Sequence, residues 1–463
     1  MFTRKFAEFV TQTSTADVPD TALDAARNGV IDTIGCALAG TSEPVSRIAA
    51  RWIHENGSRG KATVWGRELS AGAADAAFAN GISTHALDFD DSHPSVRGHA
   101  SASLVPTAIA AAEIAGTSGK DILAAYAMGI EIAGKIGRAF GHGMVRGGWH
   151  PTAIVGALAS TAVAARISGH DAETLQRAWG IAGSQLSGLV SNFGTMTKPF
   201  HAGHAARSGT VASWMAGAGL SANTTILEAD GGVFSTYGAE GEALDVVAAD
   251  LGENWEIVEP ANYVKRWPCC YSNHRPIGAL FRLIKNHGIT AGEVDEVCVS
   301  FLPSGDSALV SRQPKTGLEG KFSIEYVVAA LLLDGSLTLE SFTDEMVMRP
   351  EAQALLAKVR RQTIPDEKHY TGLVGYNLVS VTTRRGRFET REDRTPGSPA
   401  WPLSDEDRNG KFIDCATPTL GEHGAAALLQ IIGDCRNLPD IRMLAGATVP
   451  HEPRATSREQ IAN

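Results

Sequence analysis

Apolar residues recur at helical spacing through the first 260 residues of the chain. Between Ala22 and Leu38 they fall on one helical face, and Gly40 ends the run. A long series of such segments without alternating strands is typical of an all-helical domain. The same spacing predicts further helices at about 44–56, 71–86, 101–116, 119–140, 150–168, 171–188 and 202–219.

The pattern changes after Trp255. Apolar and polar residues alternate over Glu293–Leu302 and Tyr376–Thr383, which predicts strands, and Gly386–Thr390 follows across an Arg-Arg-Gly turn. A short apolar helix is predicted at Ile324–Leu333. Helical spacing returns from residue 405 to about 447.

These patterns predict a mainly α protein with a large all-helical domain and a smaller, inserted α+β domain. We expect the helical domain to comprise 1–264 and 399–450, and the α+β domain 265–398, because Pro396, Pro399 and Pro402 mark a linker. Residues 451–463 are predicted to be a frayed tail.

Composition narrows the function classes. The 463 residues include 41 Lys and Arg against 51 Asp and Glu, a net charge of −10, which argues against nucleic-acid binding. Six cysteines are too few for a disulfide scaffold and are typical of reduced thiols. No secretory signal is visible, and no apolar run reaches the roughly 18 residues of a membrane span. We therefore expect a cytoplasmic protein with no membrane partner.

Charged and titratable residues are dense in the segment from His85 to His99. It reads His-Ala-Leu-Asp-Phe-Asp-Asp-Ser-His over residues 85–93. Carboxylates orient imidazoles or act as bases, and histidine titrates near neutral pH. Two other interpretations stay open: a capped helix end and a divalent metal site.

Two more segments each carry a candidate group before a predicted helix. His150 follows Gly147-Gly148-Trp149, and a helix N-terminus favours an anion and lowers an imidazole pKa. Lys198 follows a Gly/Thr loop and is a candidate clamp for a carboxylate. A structural histidine and a solvated loop lysine are the alternatives.

The segment 263–276 places Lys265 and Arg266 close to Cys269, Cys270 and His274. These thiols are either reactive or buried and structural. A further lysine-containing segment, Gly320–Tyr326, opens the apolar helix. The sequence contains no nucleotide-binding glycine fingerprint, phosphate-binding loop, serine-hydrolase elbow or HExxH motif.

Six blocks, in order along nearly the whole chain, resemble the MmgE/PrpD family. They are His85–Asp91, Gly148–Thr152, Gly194–Pro199, Lys265–Cys270, Lys321–Tyr326 and the stretch Pro402–Asp405 with Lys411-Phe412. The family includes 2-methylcitrate dehydratase, cis-aconitate decarboxylase and iminodisuccinate epimerase. The resemblance implies a large helical domain, a smaller α+β domain, a homodimer, and no metal or organic cofactor.

The resemblance also implies site residues. Asp88, Ser92 and His99 fall where decarboxylase-like members have an active-site Asp, Thr and His. A family His and two family Lys match His150, Lys198 and Lys265. Some positions depart from these patterns. Cys270 stands where the decarboxylase has His, and Ser92 replaces Thr, which argues against cis-aconitate decarboxylation. Asp90 replaces a dehydratase Asn, which argues against 2-methylcitrate dehydration.

We therefore predict a cofactor-independent enzyme that transfers a proton or eliminates a group next to a carboxylate of a small di- or tricarboxylate. His150 and His99 are the predicted base and acid, Asp88 orients an imidazole, and Lys198 and Lys265 clamp carboxylates. The residues assigned to substrate binding are Ser92, Arg266, Cys270, His274 and Tyr326.

Three alternatives stay open beside this lyase. The first is an epimerase of the iminodisuccinate type, and the second is a non-catalytic carboxylate-binding protein. The third is a divalent-metal hydrolase built on Asp88, Asp90, Asp91 and His93.

Overall fold

The computed structural model describes residues 1–367 and 375–450, which form two compact units. The first unit contains Met1–Asn192, Met196–Asn262 and the described residues from Asp405 onward, and the second contains Phe193–Thr195 and Tyr263–Ser404. The predicted fold class, mainly α with a smaller α+β part, is confirmed. The predicted tail at 451–463 lies outside the described residues, and the domain boundaries near 264 and 399 stay a prediction.

Helices dominate the described residues, and none of them combines the length and apolar character needed to cross a membrane. In chain order they are α1 (Phe2–Gln12), α2 (Asp20–Gly40), α3 (Pro44–Glu55), α4 (Ala73–His85), α5 (Ser101–Ala115), α6 (Gly119–Phe140), α7 (Gly143–Arg146), α8 (Pro151–Ile167), α9 (Ala172–Gly183), α10 (Thr197–Gly217), α11 (Val233–Thr236), α12 (Leu244–Ala249), α13 (His274–His287), α14 (Gly317–Gly320), α15 (Ile324–Asp334), α16 (Asp344–Met348), α17 (Pro350–Leu356), α18 (Asp405–Gly433) and α19 (Arg442–Ala447). Helix α18 is interrupted at Gly421, whose φ is 73°.

Small residues let the helices of the first unit approach closely. A Cβ atom on Gly203 of α10 would lie 2.3 Å from the carbonyl oxygen of Phe78 on α4, and one on Gly81 would lie 2.9 Å from the Cα of Gly203. Only glycine leaves room for backbones this close. The crossing of α4 and α10 is therefore fixed by this pair of glycines.

Helices α5, α8 and α10 run in the same direction. Gly156 of α8 approaches Ala205 of α10, and one turn further along both helices Ser160 approaches Gly209. At the start of α8, the hydroxyl of Thr152 accepts a hydrogen bond from the backbone of His99, just before α5. The N-termini of these three helices therefore lie together, and each carries partial positive charge.

Helix α18 returns the chain to the first unit by packing on α2. Lys411 Nζ lies 2.6 Å from Asp32 Oδ1 and donates to the carbonyl oxygen of Phe89 at 2.8 Å. Thr419 donates to the carbonyl oxygen of Leu38. These contacts join the last long helix to one of the first.

The second unit contains a four-stranded sheet covered by helices. Two short strands, β1 (Ala62–Val64) and β2 (Leu69–Ala71), form a hairpin in the first unit. The four strands of the second unit are β3 (Val294–Phe301), β4 (Val359–Thr363), β5 (Asn377–Thr383) and β6 (Gly386–Glu392). The sheet order is β4-β3-β5-β6, with β3 and β4 parallel and the other pairs antiparallel. The apolar core of this unit includes Tyr326 and its neighbours on α15.

Most predicted elements lie within a few residues of the observed ones. Helix α13 was not predicted, and three other features also differ from the prediction. Helix α10 starts at Thr197, not 202, because Pro199 in a first turn lacks only an N–H group that has no helical acceptor there. The hairpin β1–β2 has only three residues per strand. Strand β4, of sequence Val-Arg-Arg-Gln-Thr, is a largely exposed edge strand without apolar alternation.

Replacing Gly203 by Val tests the glycine crossing. The added side chain meets backbone that has no room to move, so we expect Gly203→Val to lower the free energy of unfolding by about 2 kcal/mol or more. Chemical denaturation measures this loss. The matched control is Gly410→Ala on α18, where no atom lies within 4 Å of the new Cβ and a gain of about 0.5 kcal/mol is expected. Equal stability of Gly203→Val and wild type would contradict the crossing.

Candidate active site

The chain leaving α4 turns sharply at Asp88. This residue has φ 53°, in the left-handed region that Asp and Asn tolerate better than most side chains. His85 ends α4, and Asp88, Asp90 and Ser92 follow in a buried loop. The turn brings several polar side chains of one short segment into the interior.

A buried ion pair joins this loop to α10. Lys198 Nζ lies 2.5 Å from Asp88 Oδ1, and 6% of Lys198 and 4% of Asp88 are exposed. Charges this deeply buried are stable in proteins only when paired. The pair therefore fixes a positive charge at the start of α10.

His99 is held in one orientation by the backbone. Its Nδ1 donates to the carbonyl oxygen of Asp91 at 2.6 Å, and its Nε2 lies 3.7 Å from Asp88 Oδ1. Ser92 Oγ is 3.4 Å from the same Nδ1. The carbonyl contact requires a proton on Nδ1, so Nε2 is the nitrogen that is able to exchange a proton.

Asp90 is an anion between two imidazoles. Its carboxylate oxygens lie 2.9 and 3.0 Å from His85 Nδ1, and one lies 3.4 Å from His99 Nδ1. Burial raises the pKa of Asp90, but His85 and His99 outweigh it and hold that pKa well below its usual range. Burial lowers the pKa of His85 to about 3, against the attraction of Asp90.

His150 occupies the N-cap position of α8, and its side chain contacts a histidine of α10 instead of a helix N–H group. Its Nδ1 lies 3.0 Å from Nδ1 of His201, and both side chains are buried. Burial, followed by the charge of Lys198, keeps the pKa of His150 well below 6.5. The His85 ring lies 6.3 Å from that of His150 and 4.5 Å from that of His99, so these groups form one cluster.

The cluster contains one possible cation site. His85, Asp88, Asp90 and His99 offer ligand atoms that all lie within 4.8 Å of one another. The ammonium of Lys198 already neutralises Asp88, and Asp90 is bonded to His85, so the donor set fits proton chemistry better than a divalent ion.

The metal set considered from sequence as an alternative, Asp88, Asp90, Asp91 and His93, differs from the four residues that the fold brings together. Nε2 of His93 lies 3.0 Å from the carbonyl oxygen of Glu256. The carboxylate of Asp91 accepts hydrogen bonds from Ser101 and Asn262. Both residues are thus engaged away from Asp88 and Asp90.

The structure divides the predicted site residues between the two units. Asp88, Ser92, His99, His150 and Lys198 lie together in the first unit. Five others belong to the second unit: Lys265, Arg266, Cys270, His274 and Tyr326.

Within the second unit these residues differ in exposure. Lys265, Cys270 and His274 are buried, and Arg266 is exposed. The hydroxyl of Tyr326 donates to the carbonyl oxygen of Ser341 inside the core of that unit. Their assignment to the site stays a prediction.

Sequence reasoning did not assign three members of the cluster to the site. His85 and Asp90 belong to the His/Asp segment at residues 85–99, and its density of titratable groups was the signal that could have assigned them. His201 stands three residues after Lys198, so both lie on one face of α10. A second signal was its i, i+3 spacing with His204 in the same helix.

Comparison with known proteins identifies the family of this chain. The description "MmgE/PrpD N-terminal domain" matches residues 4–243, and "MmgE/PrpD C-terminal domain" matches residues 267–437. The chain belongs to the MmgE/PrpD family. The family resemblance predicted from six sequence blocks is thereby confirmed.

Relatives within the MmgE/PrpD family match over nearly their full length. Cis-aconitate decarboxylase of Homo sapiens is 29% identical over 475 residues, which cover 100% of this chain and 97% of that protein. The Mus musculus protein of the same name is also 29% identical, covering 97% and 94%. That of Aspergillus terreus is 27% identical, covering 96% and 94%. These relatives support an enzyme of the lyase type.

In this MmgE/PrpD protein, Asp91 is a buried carboxyl group whose pKa is raised. Its Oδ2 accepts from Ser101 and Asn262 at 2.6 and 2.8 Å, whereas its buried Oδ1 has no partner among the described residues. Burial, reinforced by the carboxylate of Asp32, raises the pKa of Asp91 to about 8. We therefore expect the folded protein to hold a proton on Asp91 at neutral pH.

This proton makes stability depend on pH. Between pH 4 and 8 the folded state binds one proton more than the unfolded state at Asp91, so this group lowers stability by about 1 kcal/mol per pH unit as pH rises. Asp91→Asn cannot ionise, and we expect its stability relative to wild type to increase by that amount per unit from pH 5 to 8. Urea denaturation across this range measures it.

The control for this experiment is Asp171→Asn, at the exposed N-cap of α9, where a hydrogen bond from Thr174 lowers the pKa. Its stability difference from wild type should not change between pH 5 and 8. A flat difference for Asp91→Asn as well would mean that Asp91 is already ionised in the folded protein.

Proposed function

We propose that the protein is a decarboxylating lyase that acts on a small unsaturated polycarboxylate, with cis-aconitate as the first candidate. The observation that carries this proposal is the buried cluster in which His150 and His99, two proton-carrying groups, accompany the fixed charge of Lys198. The relatives named cis-aconitate decarboxylase support the substrate class. The differences at Ser92 and Cys270 argue against this reaction from sequence, but the proposal accommodates them: Ser92 keeps the hydroxyl that Thr would supply, 3.4 Å from His99 Nδ1, and the proposed step does not use Cys270.

The electrostatics of the cluster favour an anionic substrate. The N-termini of α5, α8 and α10 meet there, and backbone N–H groups at helix N-termini attract carboxylates. Lys198 adds an ammonium at the same place. Because Asp88 already balances its charge, the proposal requires this ammonium to contact the substrate carboxylate as well as Asp88. In a buried environment such charge-assisted contacts are strong.

Decarboxylation uses each of these groups in turn. The bond between the substrate CH2 carbon and its carboxylate breaks, CO2 leaves, and the electron pair moves through the adjacent double bond to the carbon next to a remaining carboxylate. Lys198 stabilises the enolate-like charge that develops there. His150 then donates a proton to that carbon through Nε2, the nitrogen not used in its contact with His201.

Asp88 and His99 support this step. Asp88 holds the ammonium of Lys198 in place and lies near Nε2 of His99, which makes His99 a candidate for a second proton transfer. The chemistry proposed here uses only residues of the first unit. A homodimer and turnover without metal or organic cofactor are further proposals that follow from the family resemblance, and a cytoplasmic location is a proposal that follows from the sequence composition.

Proton NMR in D2O tests the reaction directly. The purified protein is mixed separately with cis-aconitate, citrate, 2-methylcitrate and iminodisuccinate, with and without a chelator. We expect cis-aconitate to lose a carboxylate and to gain one deuterium at the protonated carbon, equally in both conditions. A new alkene from citrate or 2-methylcitrate would indicate a dehydratase, and exchange with an intact skeleton would indicate an epimerase. Binding without any turnover would favour a carboxylate-binding protein.

Removing the charge of Lys198 tests the clamp. We expect Lys198→Ala to lower kcat/KM at least 100-fold, because the developing negative charge loses its fixed partner. The matched control is Lys120→Ala on α6, an exposed lysine, which should keep wild-type kcat/KM.

Loss of Lys198 leaves Asp88 buried without its ammonium, which alone destabilises a fold. The double variant Asp88→Asn/Lys198→Met removes both charges, and Asn tolerates the φ of 53° at position 88. We expect it to fold, as judged by thermal melting, and to stay inactive. Near-wild-type kcat/KM in Lys198→Ala would contradict the clamp.

A further inference from the structure

His150 and His201 face each other through the same ring nitrogen. Their Nδ1 atoms lie 3.0 Å apart, and 2% and 4% of the two residues are exposed. Two bare nitrogens repel, and two N–H groups clash, so a hydrogen bond at this distance contains a single proton. One ring therefore donates at Nδ1 while the other accepts, and the two neutral rings are opposite tautomers.

Both rings are neutral near pH 7. Burial, the neighbouring His204 and Lys198 lower the pKa of His201 to about 4, and His150 is lowered by burial, Lys198, His85, His201 and His99. These are the titratable groups whose charge acts on the pair. Neither ring therefore carries a second proton near pH 7, and one proton lies between the two Nδ1 atoms.

The backbone holds the two rings against each other. The N–H group of His150 donates to the carbonyl oxygen of Gly188 at 3.0 Å, and a Cβ on Gly188 would lie 3.4 Å from Cγ of His201. Because α8 and α10 are parallel and closely packed, both rings sit at their N-terminal ends. The contact is therefore part of the helix packing.

We propose that His201 is a positioning residue that determines which nitrogen of His150 carries the reactive proton and resupplies that proton from solvent. This inference rests on the proposed decarboxylation. Before the reaction, His201 donates at Nδ1, so His150 carries its own proton at Nε2.

The proton balance closes over one turnover. His150 gives its Nε2 proton to the substrate carbon, the Nδ1 proton of His201 moves to Nδ1 of His150, and water protonates Nε2 of His201. After product release, water protonates Nε2 of His150, its Nδ1 proton returns to Nδ1 of His201, and the Nε2 proton of His201 leaves to water. The net uptake is one proton per CO2 lost, as decarboxylation requires.

Two variants of His201 test this role. His201→Asn places an amide where Nδ1 stood, which keeps a hydrogen bond to His150 but cannot pass a proton on. We expect kcat to fall about 100-fold with KM within about threefold of wild type. His201→Ala should lose at least as much, and added imidazole should restore its kcat at least about tenfold. The control, His170→Asn, changes a histidine whose Nε2 lies 3.1 Å from the carbonyl oxygen of Ser213, and it should keep kcat.

The same experiment includes a measurement that needs no turnover. Nitrogen-15 NMR of histidine-labelled wild-type protein reports each tautomer, with signals assigned through His150→Gln and His201→Asn. We expect one protonated and one bare Nδ1 with coupling across the hydrogen bond. Identical tautomers, or wild-type kcat in His201→Asn, would overturn the inference. Opposite tautomers in a protein that turns over none of the polycarboxylates would mean that the proposed function fails and the proton resupply fails with it, while the tautomer assignment stands.

Discussion

The close crossing of α4 and α10 is the constraint on which the first unit's cluster depends. Gly81 and Gly203 let two backbones approach to a distance that no larger residue permits. Gly81 lies one turn before His85, and Gly203 follows Lys198 by little more than one turn, so the crossing sets the end of one helix beside the start of the other. The buried pair of Asp88 and Lys198 forms at that junction. A wider crossing would separate these charges and leave each of them buried alone, which costs several kcal/mol.

The buried cluster contains two kinds of group, paired ions and neutral imidazoles. Asp88, Asp90 and Lys198 are ions whose partners are close, whereas His150 and His201 are kept neutral by burial and by Lys198. Neutral imidazoles are able to give and take protons near pH 7, and a fixed cation is not consumed when they do. Three parallel helix N-termini then bias the whole region toward anions without adding any titratable group. The same separation of roles explains why one site needs both a lysine and several histidines.

Many of the helices, and the segment that contains part of the site, could be predicted from the sequence. Long amphipathic or apolar segments such as 119–140 gave correct helix bounds, because local spacing alone determines them. The short edge strand β4 escaped detection, because its pairing with β3 comes from the tertiary fold and not from alternation. The His/Asp segment was recognised as dense in chemistry, but its ion pair to Lys198 spans 110 residues, and the contact between His150 and His201 spans 51. Local patterns contain no information about such pairings. The roles of the site residues therefore stay predictions.

The return of the chain through α18 has a consequence for biosynthesis. Asp32 and Lys411 are 379 residues apart in sequence, and the whole second unit is translated between them. At about 5–20 residues per second, the ribosome synthesises Asp32 on the order of 20–80 s before Lys411. During that interval the face of α2 that later receives α18 has no cover from its own chain. Nascent chains of this protein thus pass through a long-lived, incomplete helical layer, which is the kind of surface that holdase chaperones bind.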